Sequence, residues 1–447
     1  MRALEKMRVG RCGLLAVLIL LCALMGGCIG QTASDKLQPE QQKTKIVFWN
    51  ENAAADRTAY YQELIAQFER ENPDIDVEYV GLPKKAARLK INTAIATNEL
   101  PDVCGVQSAW IAEFYDKDVL LNLDDYFADW EGHDDILPSV IDGNRRLAGD
   151  GGLYQLPNTM GMEIMWYRTD LFEKAGLQPP ETWDEFFAAA TKLTDKSKNQ
   201  YGYTIRGGDG ASIQLLRDLF AYSGETQFFD AQGRCVLREP IYADFLRRYL
   251  GLYRQATATS DITNGYQEMV AAFDSGQVAM MQHNMGSYGS HKRSLPADDF
   301  APLLLPMSLR GTIVQEANNV DGYGIFKTTA HPEAAWRFVS FLCSAQVQSW
   351  WNEQIGQIPV SRKALQSEWV NTLPHMRMAR NALESDRIRF YNPPMYLPEY
   401  RQILDGADRS IEQVMMGAET PEQFLDEWST QFENARAEYL KTHGNVQ

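Results

Sequence analysis

Apolar and polar residues follow two different rhythms along this chain, and their alternation predicts an α/β fold. Lys45-Ile46-Val47-Phe48-Trp49 reads as a strand. Tyr61, Leu64, Ile65 and Phe68 then recur at helical intervals, and Asn72-Pro73 stops that helix. Ile75, Val77 and Tyr79 alternate with acidic residues as a second strand. A strand, a helix and a strand within about 35 residues make a βαβ unit, and hence a parallel sheet.

The rhythm continues to the end of the chain. Leu100-Pro101-Asp102-Val103 turns into a further strand. Thr182-Trp183-Asp184-Glu185 is a capping box opening a helix whose apolar face carries Phe186, Ala190 and Leu193. His331-Pro332-Glu333 places proline at the first position of another helix, with Ala335, Phe338, Val339 and Leu342 on its inner side. Thr420-Pro421-Glu422-Gln423 repeats the capping logic before Phe424, Trp428, Phe432, Ala435 and Tyr439. Trp183 and Trp336, beside helix caps, are expected in the core.

The first residues belong to another regime. Arg2, Lys6, Arg8 and Arg11 precede the uncharged apolar run Gly13 to Met25. That run is too short to span a bilayer comfortably and fits a signal peptide. Met25-Gly26-Gly27-Cys28 resembles the lipobox of bacterial lipoproteins, with Met25 where leucine is usual. The expectation is a signal peptide over 1–27, then a lipidated Cys28 and a polar tether over 28–43. Two acyl chains on one cysteine anchor stably where a single chain is marginal. No later stretch is apolar enough for a membrane span.

Composition narrows the class. The chain has 447 residues, 45% hydrophobic and 23% charged, which suits a packed protein of two lobes or domains rather than a disordered one. Without residues 1–27 it carries 39 basic against 58 acidic residues, a net −19. That argues against nucleic acid as the main partner. Cys104, Cys235 and Cys343 remain once the signal and Cys28 are set aside; they can close at most one disulfide and read as buried small apolar residues.

Enzyme signatures are missing. There is no zinc-protease or Cys-x-x-Cys motif, no nucleophile elbow and no dinucleotide or phosphate loop. Gly207-Gly208-Asp209-Gly210 lacks the following Lys-Ser/Thr and reads as a turn. The six histidines show no metal-ligand spacing. Asp124-Asp125 and Asp134-Asp135 read as solvated faces. No catalytic residue, metal or cofactor is expected. Aromatic residues beside strand ends and amides instead fit recognition of a sugar, whose C–H faces stack and whose hydroxyls hydrogen-bond.

The order of motifs is where a resemblance appears. Ile46-Val47-Phe48-Trp49 and Asn72-Pro73-Asp74-Ile75 come first, then Leu100-Pro101-Asp102-Val103 and Leu121-Asn122-Leu123-Asp124. Leu153-Tyr154-Gln155-Leu156-Pro157-Asn158 leads into Met165-Trp166-Tyr167 and Asp170-Leu171-Phe172. Phe273-Asp274-Ser275-Gly276-Gln277-Val278-Ala279-Met280 and Asp321-Gly322-Tyr323-Gly324-Ile325 complete the series. Over residues 45–440 the chain resembles the maltose-binding-protein-like, sugar-binding class of extracellular solute-binding proteins serving ABC importers. It departs at Arg168, where that family usually has Asn or Asp.

The resemblance implies a two-lobed periplasmic-binding-protein-like fold with a ligand cleft between the lobes. Lobe 1 would comprise 44–158 and 306–345, and lobe 2 would comprise 159–305 and 346–447. The implied ligand-lining residues are Trp49, Asn50 and Glu51; Gln107 and Ser108; Asn158, Thr159 and Met160; Asn284, Gly286, Ser287 and Tyr288; Gly322 and Tyr323; and Tyr396. The implied function is a monomeric lipoprotein, outside the cytoplasm on the cell membrane. It would capture a mono- or oligosaccharide by hinge closure and deliver it to the permease subunits of an ABC transporter. The alternatives are a binding protein for a non-sugar polar ligand such as a glycerophosphate ester, for which Arg206 and Arg168 are the nearest suggestions, and a surface-anchored glycan-active enzyme. An adhesion or scaffold protein would show no ligand-induced closure.

Overall fold

The structure is a computed structural model that describes residues 43–383 and 385–444; the expected signal peptide, Cys28 and most of the tether lie outside them. Its strands are β1 Thr44–Asn50, β2 Ile75–Gly81, β3 Val103–Gln107, β4 Leu156–Met160, β5 Glu163–Tyr167, β6 Tyr201–Thr204, β7 Val278–Asn284, β8 Ala301–Leu303, β9 Ile313–Glu316, β10 Val320–Ile325, β11 Ile358–Pro359 and β12 Ile388–Tyr391.

Six of these strands form one sheet in the order β11-β4-β10-β3-β1-β2. β1 pairs in parallel with both β2 and β3, so the expected βαβ unit is present. Alternation sends successive side chains to opposite faces. Ile46 and Phe48 face the helices Ala55–Glu71, Pro332–Leu342 and Ala345–Ile355. The other face, with Cys104 and Val106, meets the helices Lys84–Thr97 and Ser108–Asp116. Burying a side chain such as Phe48, which has no exposed surface, contributes about 1.5–3 kcal/mol.

A second sheet has the order β6-β7-β5-β8, and β9 and β12 form a separate parallel pair. Ile164 and Trp166 on β5 pack with Met281, Met376 and Ala379, whereas Met165 joins Phe186, Tyr203 and Leu216 on the opposite face. Both capping boxes are made: Thr182 with Glu185, and Thr420 with Gln423. Pro332 opens its helix as expected. Trp183 and Trp336 are core residues, and Cys104, Cys235 and Cys343 are buried and free. At the departure point, the Arg168 Nε donates to Asp170 Oδ1 at 2.9 Å, spanning the start of the helix Thr169–Ala175.

The chain passes between the two large sheets at three places that lie side by side. The first is Gly161-Met162, between β4 and β5. The second, 317–319, connects β9 to β10, and the Gly161 N–H donates to Asn319 O at 2.8 Å. The third follows β11, whose Ile358 pairs with Met160. All three implied lobe boundaries therefore move, the first by only the two residues Thr159 and Met160, which lie on β4. Residues 346–359, expected in lobe 2, belong with the six-stranded sheet, because Val347, Trp351 and Ile355 fill its core beside Ile46 and Phe48. Residues 307–316, expected in lobe 1, lie on the other side, where Met307 N donates to Glu181 O and Leu309 N to Tyr222 O. Apolar faces on short helices carry no sign of which of two sheets they will cover.

Candidate functional site

Pairing register brings chemistry to one edge of the six-stranded sheet. β1 and β3 are parallel and end in Asn50-Glu51 and Gln107-Ser108. β10 runs antiparallel to β3, so its first residues return to the same edge, and Asp321 sits opposite Gln107. β4 ends there too, with Asp321 opposite Thr159. In the four-stranded sheet, β5 begins with Glu163 opposite Asn284, the last residue of β7. β6 is parallel to β7 and delivers Arg206 to that same end. Strand ends in α/β sheets are where crevices form.

Residues of the two edges meet. Lys84, at the start of the helix Lys84–Thr97, places Nζ 5.2 Å from the ring centre of Tyr266, which opens the helix Tyr266–Asp274. The Arg206 guanidinium lies 5.9 Å from the same ring. His283 packs edge-on to Tyr266, ring centres 3.9 Å apart, and its burial drives the imidazole pKa well below the usual value. Arg217 bridges the segments entering the cleft, donating from Nη1 to Glu163 Oε1 and from Nε to Glu316 Oε2, both at 2.7 Å.

The carboxylates at this edge sit in protein rather than water. Burial, with Asp321 adding to it, raises Glu51 to about 7, and burial also raises Asp321 despite the pull of Lys84 and Arg57. Lys84 keeps contact with solvent, yet enclosure by the cleft walls and the nearby Arg57 lower its pKa. A methyl group at Gly105 would collide with the Glu51 carboxylate, so glycine there leaves the carboxylate its place.

The expected ligand residues divide into two groups. Trp49, Glu51, Gln107, Met160 and Asn284 are partly exposed at the two edges. Trp49 carries Lys90 Nζ 5.1 Å from its ring. The Asn284 Oδ1 accepts from Gly286 N at 3.0 Å and from the Tyr266 hydroxyl at 3.5 Å.

Asn50, Ser108, Asn158, Thr159, Ser287, Gly322 and Tyr323 are buried, and Gly286, Tyr288 and Tyr396 are half-buried against other parts of the protein. Asn50 is 1% exposed and bonds to Asn52 and the Tyr79 hydroxyl. Ser108 donates to Asn318 O at 2.5 Å. Asn158 donates to the Tyr323 hydroxyl at 3.0 Å, and Thr159 donates to Asn352 Oδ1. Tyr323 is itself core, bonded to the Tyr61 hydroxyl. Gly322 lies inside the sheet at a bulge, where a Cβ would come 2.3 Å from Leu156 O; close strand approach explains this glycine. Gly286 is packed against Ile355 O. Ser287 donates to Asn284 O at 3.0 Å, and Tyr288 packs on Trp166 and His375. Tyr396 rests against Tyr439 of the C-terminal helix instead of a strand end.

The sequence reading missed Arg57, Lys84, Glu163, Arg217, Tyr266, Glu316 and Asp321. Lys84 follows the second strand much as Glu51 follows the first, so the strand-end rule reaches it when applied to every strand. Tyr266 is signalled by the glycine and Glu268 that cap its helix, Glu268 accepting from Gly265 N at 3.1 Å. Arg217 and Glu316 have no local signal.

Nothing else among the described residues makes a stronger site. Ser287, His291 and Asp274 form a hydrogen-bonded series (Oγ to Nε2 at 3.0 Å, Nδ1 to Oδ1 at 2.5 Å), but Ser287 and His291 are buried under Trp166. Among the described residues no cluster of His, Cys, Asp or Glu could hold a metal, and no helix is long and apolar enough to cross a membrane. Surface cavities of about 310 and 590 Å³ are lined by other residues, around Asp261 and Val278 and around Ile313 and Met378.

Two α/β lobes with facing strand ends and three adjacent crossings define a two-lobed solute-binding fold. The chain matches the bacterial extracellular solute-binding protein family over residues 54–349, and it belongs to that family. It is similar to the mannitol-binding protein of Pseudomonas aeruginosa, 32% identical over 224 residues, 49% of this chain and 50% of that protein. The multiple sugar-binding protein of Streptococcus mutans is 21% identical over 374 residues, 80% of this chain and 83% of that protein. A solved ABC transporter solute-binding protein from Agrobacterium vitis S4, with bound D-mannitol, superposes with a TM-score of 0.72 at 25% identity, covering 88% of this chain and 99% of that one.

Proposed function

We propose that this chain is the receptor of an ABC importer, holding a carbohydrate or polyol in the cleft between its lobes and releasing it to the permease. The observation that carries this reading is the contact of Lys84 with Tyr266, which brings the two strand-end edges to either side of one small space. Trp49 and Tyr266 offer rings for C–H faces; Glu51, Gln107, Asp321 and Asn284 offer acceptors and amides for hydroxyls. Ligand bridging both edges favours the closed arrangement over the open one, which is the condition for ligand-driven hinge closure. The receptor acts as a monomer outside the cytoplasm, tethered through lipidated Cys28, without cofactor or catalytic step.

A thermal-shift screen of the detergent-extracted protein against sugars, polyols and glycerophosphodiesters tests this. Ligand at 100 times its dissociation constant adds roughly 2.7 kcal/mol of stability. A shift by a saccharide or polyol recovered unchanged is expected. A shift only by a phosphodiester, or recovery of cleaved glycan, overturns the reading. Cys28→Ala is expected to release the protein from membranes; retention would remove the lipid anchor from the proposal.

A further inference from the structure

Positive groups reach the cleft without ion-pair partners in a chain whose expected mature form is net −19. Arg57, Lys84 and Arg206 reach it from the helix Ala55–Glu71, the helix Lys84–Thr97 and the end of β6. None of the three makes an ion pair within 4 Å among the described residues, although twenty-three such pairs are found elsewhere, including that of Arg217 with Glu163 and Glu316. Arg206 has a buried Nε with no hydrogen-bond partner. Lys84 and Arg206 approach a single ring, that of Tyr266, from opposite edges of the cleft, at 5.2 and 5.9 Å. Lys84 and Arg206 share no anion at ion-pair distance, so a negative group between them would relieve their mutual repulsion.

The acids of the cleft act on this pair from beyond ion-pair distance, Glu163 on Arg206 and Asp321 and Glu51 on Lys84. Glu51 and Asp321 sit at the six-stranded edge, beyond ion-pair distance of Lys84 and Arg57, and make no side-chain hydrogen bond among the described residues. They are free to accept from hydroxyls.

We propose that the ligand is an acidic sugar whose anionic group binds between Lys84 and Arg206 over Tyr266, while its hydroxyls face Glu51 and Asp321. A carboxylate, as in a hexuronate, fits the planar fork of Arg206 and the single charge of Lys84. A sugar phosphate presents the same chemistry to the same two groups. The anion also supplies differential binding: it relieves the repulsion between the cations only where the two edges come together. This inference rests on the cleft being the saccharide site.

Calorimetric titration of the detergent-extracted protein with matched probes tests it: galactose against galacturonate, digalactose against digalacturonate, and glucose against glucose 6-phosphate. The anionic member of at least one pair is expected to bind about tenfold tighter or better. Lys84→Gln and Arg206→Gln are each expected to cut that preference roughly fivefold or more and to leave the melting temperature of the free protein unchanged. The preference should also shrink as salt rises from about 50 to about 500 mM. Preference for uronate identifies a carboxylate, and preference for the 6-phosphate a phosphate; either supports the assignment. Neutral sugars or polyols binding as tightly as their anionic partners overturn the acidic-sugar assignment and leave the receptor reading intact. Binding of no saccharide of either charge overturns the receptor reading and this assignment with it.

Discussion

Polar groups are buried behind both sheets, and the two sides of the molecule differ in how tightly they hold them. Beside the six-stranded sheet the amides beneath the crossings are satisfied, although Trp110 Nε1 and Asn144 Oδ1 are not. The Gln348 Oε1 accepts from Val360 N and Ser361 N, both at 2.9 Å, while its Nε2 donates to Cys343 O at 2.8 Å. Asn352 donates to Asn158 O at 3.0 Å and to Gln348 O at 2.9 Å. This network ties β4 and β11 to the helix Ala345–Ile355 just beneath the crossings. Behind the four-stranded sheet, Asp218, Gln282, His283 and Thr204 make no side-chain hydrogen bond of good geometry among the described residues, although Tyr249 and Gln282 lie against Asp218 and Thr204 lies against Asp261.

The difference shows where rigidity is built. A buried amide with all its partners resists any shift of the segments it joins, because each lost bond exposes a desolvation cost. The crossings are fixed by such amides. The interior of the other lobe holds groups whose charge state must adapt to burial instead: Asp218 is raised to about 8, and Asp261 to about 7, by desolvation.

The sharpest way to break the comparison is Gln348→Leu. It strands Val360 N, Ser361 N and Cys343 O, and should cost about 3 kcal/mol or more. Chemical unfolding would register this as a lower midpoint; a change below about 1 kcal/mol would mean the network is dispensable.

Asp218→Asn should act in the opposite direction, and only at high pH. Below about pH 4 the acid is protonated in folded and unfolded chains alike and burial of the neutral form carries no ionic penalty. As pH rises from there toward about 8, the unfolded chain ionises and the folded one does not, so stability falls. Asparagine removes this loss. The variant should be about 1–3 kcal/mol more stable than the parent at pH 8 and nearly equal to it at pH 4. Melting curves across that range would check it, and an unchanged pH profile would place Asp218 outside the adaptive set.

Thr159→Val and Thr204→Val form a smaller matched pair. The first removes a hydroxyl bonded to Asn352 and should cost about 1 kcal/mol. The second removes a buried hydroxyl that faces Asp261 without a well-formed hydrogen bond and should cost about 0.5 kcal/mol or less. Equal costs would erase the contrast between the two sides.

Much of the fold was legible in the residues. β1, β2 and the helix between them follow from two periodicities, and the capping boxes at Thr182 and Thr420 from local hydrogen-bonding chemistry. The strand-end rule pointed to Glu51, Gln107 and Asn284, which are half-buried at the facing edges. It also collected Asn50, Ser108 and Asn158, because a polar residue at a strand end looks the same in sequence whether it faces a ligand or ties down the next segment. Only register separates them: Asn158 points at Tyr323, a residue far away in the chain.

By itself, the sequence determined the α/β rhythm, the helix boundaries and the class of protein, since those depend on neighbours a few residues apart. The tertiary structure decided which sheet the helix Ala345–Ile355 covers, which polar side chains are sealed, and that Lys84 and Arg206 share one ring. These depend on contacts between segments far apart in the chain, set by sheet order and by the three crossings. Short-range periodicity carries no record of that geometry.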